Sequence, residues 1–352
     1  MAQARQLTEA REAFGWLRGG SQTVQQQALR DHAQAMTNFF AGTHRKPTWR
    51  KAGVHEGFRI VGQRGQQWEV RRVSRKVGQV RIPKVGWVAF RWSRAVPEGV
   101  KSYRVTRDRA GRWHVAFAAI PDPIPAPGTG EVVGVDRGVV VSAALSTGDL
   151  LNVAGLTGRE AQRLLRLQRR LARAQRGSNR SKRVKAAVAK LKARECDRRK
   201  DWVEQTTARP ARRYDVIGGQ ALPVAAMTRS AKGTLEQPNR NVAAKAGRNR
   251  GILANAWGGL VGRLEHKAPG RVVKINPRHT SQRCWECGHT AEENRKSQAV
   301  FLCVACGHTD NADVNAARNI TDAPPQGFGV PAREALQPSA GATNREPQLI
   351  TS

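Results

Sequence analysis

Four cysteines form the pattern in this sequence whose type and spacing point most directly to chemistry. They are Cys284, Cys287, Cys303 and Cys306. The pattern is C-x2-C, fifteen intervening residues and a second C-x2-C, which lets two short knuckles converge on one tetrahedral zinc ion. Because four thiolates already close a structural site, we predict that His289 and His308, one in each C-G-H-T repeat, are not ligands.

Two aspartates are the candidates for a second kind of metal chemistry. Asp136 follows the apolar segment E-V-V-G-V and precedes Gly138, so a buried strand would present its carboxylate at a sheet edge to a hard cation such as Mg2+. Asp313 lies seven residues after the last cysteine, in D-V-N-A-A-R-N, where a helix is predicted to begin. Taken alone, Asp313 is typical of a helix cap; together with Asp136 it predicts a cation site.

These segments, with G-V-D-R-G, N-P-R-H-T-S-Q-R-C-W-E-C-G and D-V-N-A-A-R-N-I in that order, resemble the transposon-encoded OrfB/TnpB family, relatives of the type V CRISPR effectors. The resemblance runs from about Trp16 to Ile320. It implies an RNase H-like RuvC nuclease domain that is guided by RNA and carries a zinc ribbon before its third acid. In that family three carboxylates hold two Mg2+ ions, and Asp136 matches the first and Asp313 the third.

The second acid of the family is replaced in this chain. Gln220 and Ala221 stand where the family has a glutamate and a further acid, ahead of M-T-R-S-A-K-G-T. One unit charge at about 4 Å is an interaction of roughly 4 kcal/mol at an effective dielectric near 20, on the order of a thousandfold in rate. Asp215 is an odd number of residues away, which points it to the opposite face of a strand. Glu265, on the following helix, is the replacement that the sequence leaves open.

Three functions follow as expectations. The first is a transposon-associated, RNA-guided DNA-binding protein whose RuvC-like domain cleaves weakly or not at all because of Gln220. The alternative is an active, Mg2+-dependent, RNA-guided DNA endonuclease in which another acid compensates. A basic zinc-ribbon RNA-binding protein, or a decayed transposon gene product, is the third.

Charge indicates a polyanionic partner. The chain has 61 Lys and Arg against 27 Asp and Glu, a formal charge of +34, which is typical of nucleic-acid binding. The resemblance implies a guide RNA from its own locus and target double-stranded DNA. No run of eighteen apolar residues or signal-peptide core occurs, so we expect no membrane partner and a cytoplasmic location. Oligomeric state and whether Met1 is the true start stay open, since the family begins further upstream.

The expected fold class is α/β and β: an N-terminal β-barrel with a helical insert, then an RNase H-like RuvC domain carrying a four-cysteine zinc ribbon. The predicted segments, in chain order, are a helical recognition insert (1–50), a wedge β-barrel of short alternating strands (51–120), a proline-rich linker (121–130), the RuvC-like domain (131–277) with a basic helical hairpin (159–209), the zinc ribbon (278–310), the last RuvC helix (311–321) and a disordered tail (322–352).

Apolar periodicity predicts several elements within these segments. A helix is expected from Ser21 to Phe40 with Ser21 as its N-cap, and its apolar stripe should pack on a core. A single helix is expected over residues 249–267, with Trp257 in the core. After Asp136, a second apolar strand is expected in V-V-V-S-A-A-L.

Basic residues in three segments are the candidate nucleic-acid contacts. Residues 159–200 contain seventeen Lys and Arg against three acids, which favours contact with a phosphate backbone. The loop around Trp49 combines an aromatic ring with cations, so a solvated loop and a base-stacking contact are both open. The candidates are Trp49, Arg50, Lys51, Arg163, Arg166, Arg170, Arg173, Lys182, Arg183, Arg229 and Lys232.

Overall fold

The computed structural model describes residues 2–54, 56–231, 233, 237 and 240–322. It divides into two compact units. Of the described residues, the first contains those within 2–121 and 158–194, and the second contains those within 122–157 and 195–322. Residues 323–352 of the predicted tail and Lys232 lie outside the described residues. Within the described ranges, the structure contains no helix with the length and apolar character needed to cross a membrane.

The first unit opens with helices α1 (Ala2–Ala13), α2 (Gly15–Gly19) and α3 (Gln22–Phe40). Ser21 precedes α3 as predicted, but its side chain makes no capping hydrogen bond. Val24 of the expected apolar stripe packs against the core of the strands that follow, and the fully buried residue of α3 is Gln27. An arginine explains this burial, because Arg59 Nη2 donates to Gln27 Oε1 at 2.6 Å.

Six strands follow, in two antiparallel three-stranded sheets. They are β1 (Gly57–Val61), β2 (Glu69–Arg72), β3 (Val77–Ile82), β4 (Gly86–Arg91), β5 (Ser102–Arg107) and β6 (Trp113–Phe117). The sheet orders are β1-β5-β6 and β2-β3-β4. Buried Ile60, Trp68, Val70, Val80 and Tyr103 form one core, and Trp68 Nε1 donates to Gly62 O at 2.9 Å. Closure of these sheets into a barrel stays a prediction.

The basic hairpin consists of α4 (Gly158–Ala172) and α5 (Asn179–Arg213). Leu164, Leu167, Val184 and Leu191 are buried, as the apolar spacing indicates. Helix α5 continues past the predicted end of the hairpin at Arg209 and contains Pro210.

A buried arginine meets the end of α5. Arg271 donates to Ala211 O at 2.8 Å and to Tyr214 O and Ile124 O, both at 2.7 Å. A cation at this position satisfies a helix-end carbonyl that has no partner within the helix. The same side chain ties residue 124, in the predicted linker, to the second unit's core segment.

The second unit is built on a five-stranded mixed sheet. Its strands are β7 (Val132–Asp136), β8 (Ala143–Leu145), β9 (Leu150–Leu151), β10 (Val216–Gln220) and β11 (Val272–Ile275). The order is β11-β10-β7-β8-β9, with β10 parallel to both β7 and β11. The predicted strand after Asp136 is shorter than expected, because Val139 and Val140 are exposed outside it.

Helices α6 (Val224–Met227), α7 (Val242–Ala254) and α8 (Trp257–Lys267) follow β10. The single helix predicted over residues 249–267 was therefore wrong. Asn255 Nδ2 donates to Val139 O at 2.8 Å and its Oδ1 accepts from Ser142 Oγ, and Ala256 has a left-handed φ of 55°. These tertiary hydrogen bonds break the helix. Trp257 is buried as predicted and donates Nε1 to Gly138 O at 3.0 Å.

The last described elements are a 3-10 helix (Glu292–Asn294), β12 (Val300–Leu302), β13 (Thr309–Asn311) and α9 (Ala312–Thr321). Helix α8 packs Leu260 and Leu264 against Val133, Val135 and Ile217, which point to one face of the sheet. Helix α9 lies on the other face, so closely that a Cβ on Gly134 would fall 2.0 Å from Ala317 O. Since side chains alternate along a strand, Asp136 and Gln220 point to the α9 face.

Candidate metal centre and acidic site

The four cysteines converge on one point. Their Sγ atoms lie within 4.8 Å of one another, with Cys284 and Cys306 at 3.8 Å and Cys287 and Cys303 at 3.6 Å. A tetrahedron with Zn–S bonds of about 2.3 Å has edges of about 3.8 Å. The cluster that the spacing predicted is thus confirmed, and its all-thiolate donor set fits zinc.

Two similar turns build this cluster. Cys284 N donates to His289 O at 2.8 Å, and Cys303 N donates to His308 O at 2.9 Å. Gly288 and Gly307 have φ of 77° and 74°, a left-handed conformation that glycine adopts without Cβ strain. Burial opposes ionisation of Cys303, but hydrogen bonds from the N–H groups of Cys306 and Ala305 and from Cys287 lower its pKa to about 6. His289 and His308 take part in these turns through their backbone carbonyl oxygens.

The two aspartates belong to one site, at the end of β7 and the start of α9. Asp136 ends β7 and Asp313 is the second residue of α9, and both are buried. Burial, and then the negative charge of Asp313, raise the pKa of Asp136 to about 6. Asn311, not Asp313, caps the helix, because its side chain accepts from Asp313 N at 3.0 Å and Val314 N at 3.2 Å. The Asp313 carboxylate is therefore available to the acidic site.

An arginine lies beside this pair. Arg295 Nη2 donates to Asp313 Oδ1 at 3.0 Å and to Gln298 O at 3.1 Å. Its positive charge also lowers the pKa of Asp136, against the effect of burial. Sequence reasoning missed Arg295, since no motif spacing relates a residue between the two cysteine pairs to Asp313.

Gln220 is the third side chain of the acidic site that comes from the sequence prediction. Gly219 pairs with Val135 in the parallel register, so the next residues, Gln220 and Asp136, stand side by side at the strand ends. The buried Gln220 amide donates through Nε2 to Thr280 Oγ1 at 3.1 Å, and Thr280 Oγ1 donates to Pro277 O at 3.0 Å. A neutral, hydrogen-bonded side chain therefore lies beside Asp136.

Neither alternative acid faces this site. Asp215 accepts from Gly128 N at 2.8 Å and from Gly130 N, and the hydrogen bond from Gly128 is the main cause that lowers its pKa. Glu265 pairs with Lys274 Nζ at 2.5 Å. Lys274 is in register with Gly219, one residue before Gln220, and therefore points to the α8 face. Asp215 anchors the linker, and Glu265 lies across the sheet from Asp136.

The donor set of the acidic site does not fit two magnesium ions. Mg2+ requires oxygen ligands and binds through carboxylates, but here two carboxylates share the site with one guanidinium and one amide. The Gln220 amide offers a single neutral oxygen, since its nitrogen donates to Thr280, and one oxygen of Asp313 already accepts from Arg295.

The candidate nucleic-acid residues are exposed wherever the structure describes them. The Trp49 ring is 86% exposed and stacks on His32 at 5.9 Å, and Arg50 pairs with Asp31 at 3.3 Å. Exposed Lys51 shares that loop. Arg163, Arg166, Arg170, Arg173, Lys182 and Arg183 lie in the first unit, and Arg229 in the second. Their role in binding stays a prediction.

Known proteins match this chain along most of its length. The model "Cas12f1-like, TNB domain" matches residues 257–320, and OrfB_IS605, described as "Probable transposase", matches residues 114–231. The RNA-guided DNA endonuclease InsQ of Escherichia coli (strain K12) is 34% identical over 309 residues, 87% of this chain and 75% of that protein. An RNA-guided DNA endonuclease of Streptomyces pristinaespiralis is 30% identical over 353 residues, 97% of this chain and 82% of that protein.

Among solved structures, the Cas12f1–sgRNA–target DNA complex matches with a TM-score of 0.43 and 14% identity, over 81% of this chain and 68% of that chain. The sequence relatives decide the assignment. The chain belongs to the OrfB/TnpB family.

Proposed function

We propose that this chain is a transposon-associated, RNA-guided DNA-binding protein whose RuvC-like nuclease domain cleaves DNA weakly or not at all. The observation that carries the proposal is Gln220, whose buried amide donates to Thr280 beside Asp136. A glutamate in that position would add a carboxylate to the two already present. Gln220 supplies a neutral amide whose nitrogen donates to Thr280.

The size of this effect follows from Coulomb's law. One unit charge about 4 Å from a cation is worth roughly 4 kcal/mol at an effective dielectric near 20. Losing that interaction in the transition state lowers a rate on the order of a thousandfold. Magnesium would serve as a catalytic cofactor only if the site held it, whereas zinc in the cysteine cluster is structural.

The partners that we propose are a guide RNA from the protein's own locus and target double-stranded DNA. Support comes from the formal charge of +34, from the exposed cations of α4 and α5, and from the names of the relatives. Binding should weaken steeply with salt, because neutralised phosphates release counterions. A reducing cytoplasm suits four metal-binding thiols.

An active RNA-guided endonuclease is the second candidate, and the names of the two sequence relatives favour it. It requires another carboxylate at the acidic site. Glu265 would have to leave Lys274 and reach the opposite face of the sheet, and Asp215 would have to release the linker. The pairing of both acids makes this candidate the weaker one.

Plasmid cleavage in Mg2+ tests the proposal. The protein is coexpressed with its flanking locus and compared with Gln220→Glu, Asp136→Ala and a Gln220→Glu/Asp136→Ala double variant. We expect the natural chain to bind the target plasmid with little cleavage, and Gln220→Glu to cleave on the order of a hundredfold to a thousandfold faster. The double variant should lose that gain.

Gln205→Glu is the matched control, because it makes the same change at an exposed position of α5. It should leave cleavage unchanged. Rapid cutting by the natural chain that Asp136→Ala abolishes would establish the second candidate instead. Failure to copurify a discrete RNA would reject both and leave the general RNA-binding function.

A further inference from the structure

Two buried asparagines hold the main chain around the cysteine cluster. The first, Asn315, is on α9. Its Oδ1 accepts from Trp285 N at 3.0 Å and its Nδ2 donates to Arg283 O at 2.8 Å. These two backbone groups belong to the residues immediately after and before Cys284. One side-chain amide therefore fixes the chain on both sides of a buried ligand of the cluster.

The second asparagine, Asn294, joins the two cysteine turns to each other. Its Nδ2 donates to Gln282 O at 2.9 Å and to His289 O at 3.2 Å, which flank the first turn. Its Oδ1 accepts from Val304 N at 2.9 Å, and Val304 follows Cys303 in the second turn. The amide therefore links the main chains of the two turns through a single side chain.

Burial gives these contacts their importance. Asn294 and Asn315 are both fully buried, and their five hydrogen bonds end on main-chain groups around the cysteines. Burying an amide is unfavourable unless its polar atoms are paired, and an apolar side chain would fill the same space without that requirement. The two asparagines are therefore best explained by the backbone groups that they hold.

The position of the main chain decides how well the thiolates can bind one ion. A structural zinc site requires four sulfur atoms at the corners of a tetrahedron, and a cysteine side chain is too short to correct a displaced backbone. Residues outside the ligand set that orient the ligands typically change metal affinity by about tenfold to a hundredfold when they are replaced. Asn315 can act in this way on Cys284, and Asn294 on the separation of the two turns.

We propose that Asn294 and Asn315 are positioning residues of the zinc site. They hold the two cysteine turns in the arrangement that binds the ion, and so they slow its release. The proposal is independent of the proposed function, because it concerns zinc in the free protein and does not involve Gln220. It also gives α9 a role in the cysteine cluster as well as in the acidic site.

The rate of zinc release tests the proposal. Zinc-loaded full-length protein is mixed with an excess of the chelating dye pyridylazoresorcinol, and the absorbance of the zinc–dye complex is followed with time. We expect Asn294→Ala and Asn315→Ala each to release zinc about tenfold or more faster than the natural chain. Both variants should still be fully loaded before mixing, because structural zinc binds strongly enough to tolerate such a loss.

Asn255→Ala is the matched control, because it removes another buried amide of the second unit, one that holds Val139 O instead of the cysteine turns. It should lower the free energy of unfolding in urea but leave zinc release at the natural rate. If Asn255→Ala releases zinc as fast as Asn315→Ala, release follows overall stability and the proposal is overturned. Natural release rates in both Asn294→Ala and Asn315→Ala would overturn it as well.

Hydrogen exchange of the zinc-loaded natural chain decides the question if the alanine variants fail to fold. The N–H groups of Trp285 and Val304 donate to the two asparagines, so they should exchange far more slowly than unprotected amides. Nuclear magnetic resonance measures each group separately. Exchange of either N–H at the rate of an unprotected amide would show that its asparagine does not hold the turn, and would overturn the proposal.

Discussion

The cysteine cluster and the acidic site adjoin each other along the chain, yet they are assembled in different ways. The cysteine cluster takes all four ligands from 23 consecutive residues, through two turns that repeat the same hydrogen bonds. The acidic site gathers Asp136, Gln220, Arg295 and Asp313 from two strands, a loop and a helix. Loss of one ligand should unfold a local cluster, whereas one residue of a dispersed site can be exchanged without loss of the fold.

Removing one cysteine should have the largest effect. Cys303→Ser takes a buried ligand from the cluster, and binding of structural zinc contributes about 10–16 kcal/mol in small zinc domains. We expect loss of zinc and unfolding of the ribbon, measured by metal analysis and limited proteolysis. Cys196→Ser, at an exposed thiol outside the cluster, is the control. Retention of zinc and protease resistance by Cys303→Ser would mean that the ribbon folds without the full cluster.

The acidic site should reduce stability near neutral pH, unlike the cysteine cluster. Burial and the charge of Asp313 raise the pKa of Asp136 from 3.8 to about 6. Because the folded-state pKa is raised, the protonated Asp136 carboxyl contributes stability that is fully present below about pH 4. This contribution is lost as the pH rises through 6. The loss is up to about 3 kcal/mol, from 1.36 kcal/mol per pKa unit.

Asp136→Asn should therefore raise the free energy of unfolding at pH 7.5 in magnesium-free buffer, by about 2–3 kcal/mol, with little change at pH 4. Urea titrations at both pH values measure this difference. Glu131→Gln, an exposed acid before β7, should change neither value. Equal stability of Asp136→Asn and the natural chain at pH 7.5 would show that the carboxylate is compensated in full.

The packing of α9 against β7 should be disrupted by a single added methyl group. Gly134→Ala would place Cβ 2.0 Å from Ala317 O and 3.2 Å from Ile320 Cβ, so helix or strand must shift. Overpacking of this kind costs about 1–3 kcal/mol. Denaturant titration should show that loss, while zinc content stays unchanged because the cysteines are not involved. Zinc loss in this variant would show that the two sites are coupled.

The smallest effect is expected for a substitution in β10, the strand next to β7. A Cβ on Gly219 would meet only Val135 O, at 4.0 Å, and a cavity of about 10 Å³ lies beside it. Gly219→Ala should raise the free energy of unfolding by about 0.5–1 kcal/mol, because glycine is unfavourable within a strand. The same denaturant titration measures it. Destabilisation would mean that β10 needs glycine for a reason other than space.

Local spacing accounts for what the sequence predicted well. The cysteine pairs, the strand that ends at Asp136 and the buried Trp257 all depend on residues close in the chain. The break between α7 and α8 was not predicted, because Asn255 is held by Val139 and Ser142, more than a hundred residues away. Arg295 was missed for a related reason: its contact with Asp313 depends on how the ribbon folds against α9.

The late position of α9 in the sequence also affects how the protein folds during synthesis. Nearly every residue of the helix from Ala312 to Ile320 is buried, and it covers the sheet face that contains Gly134. The last strand of the sheet, β11, ends at Ile275, and Asp313 is 38 residues further on, which a ribosome adds in roughly 2–8 s at about 5–20 residues per second. During that interval all five strands have been made but no helix covers this face. Synthesis rate and chaperone supply should therefore govern the yield of folded protein.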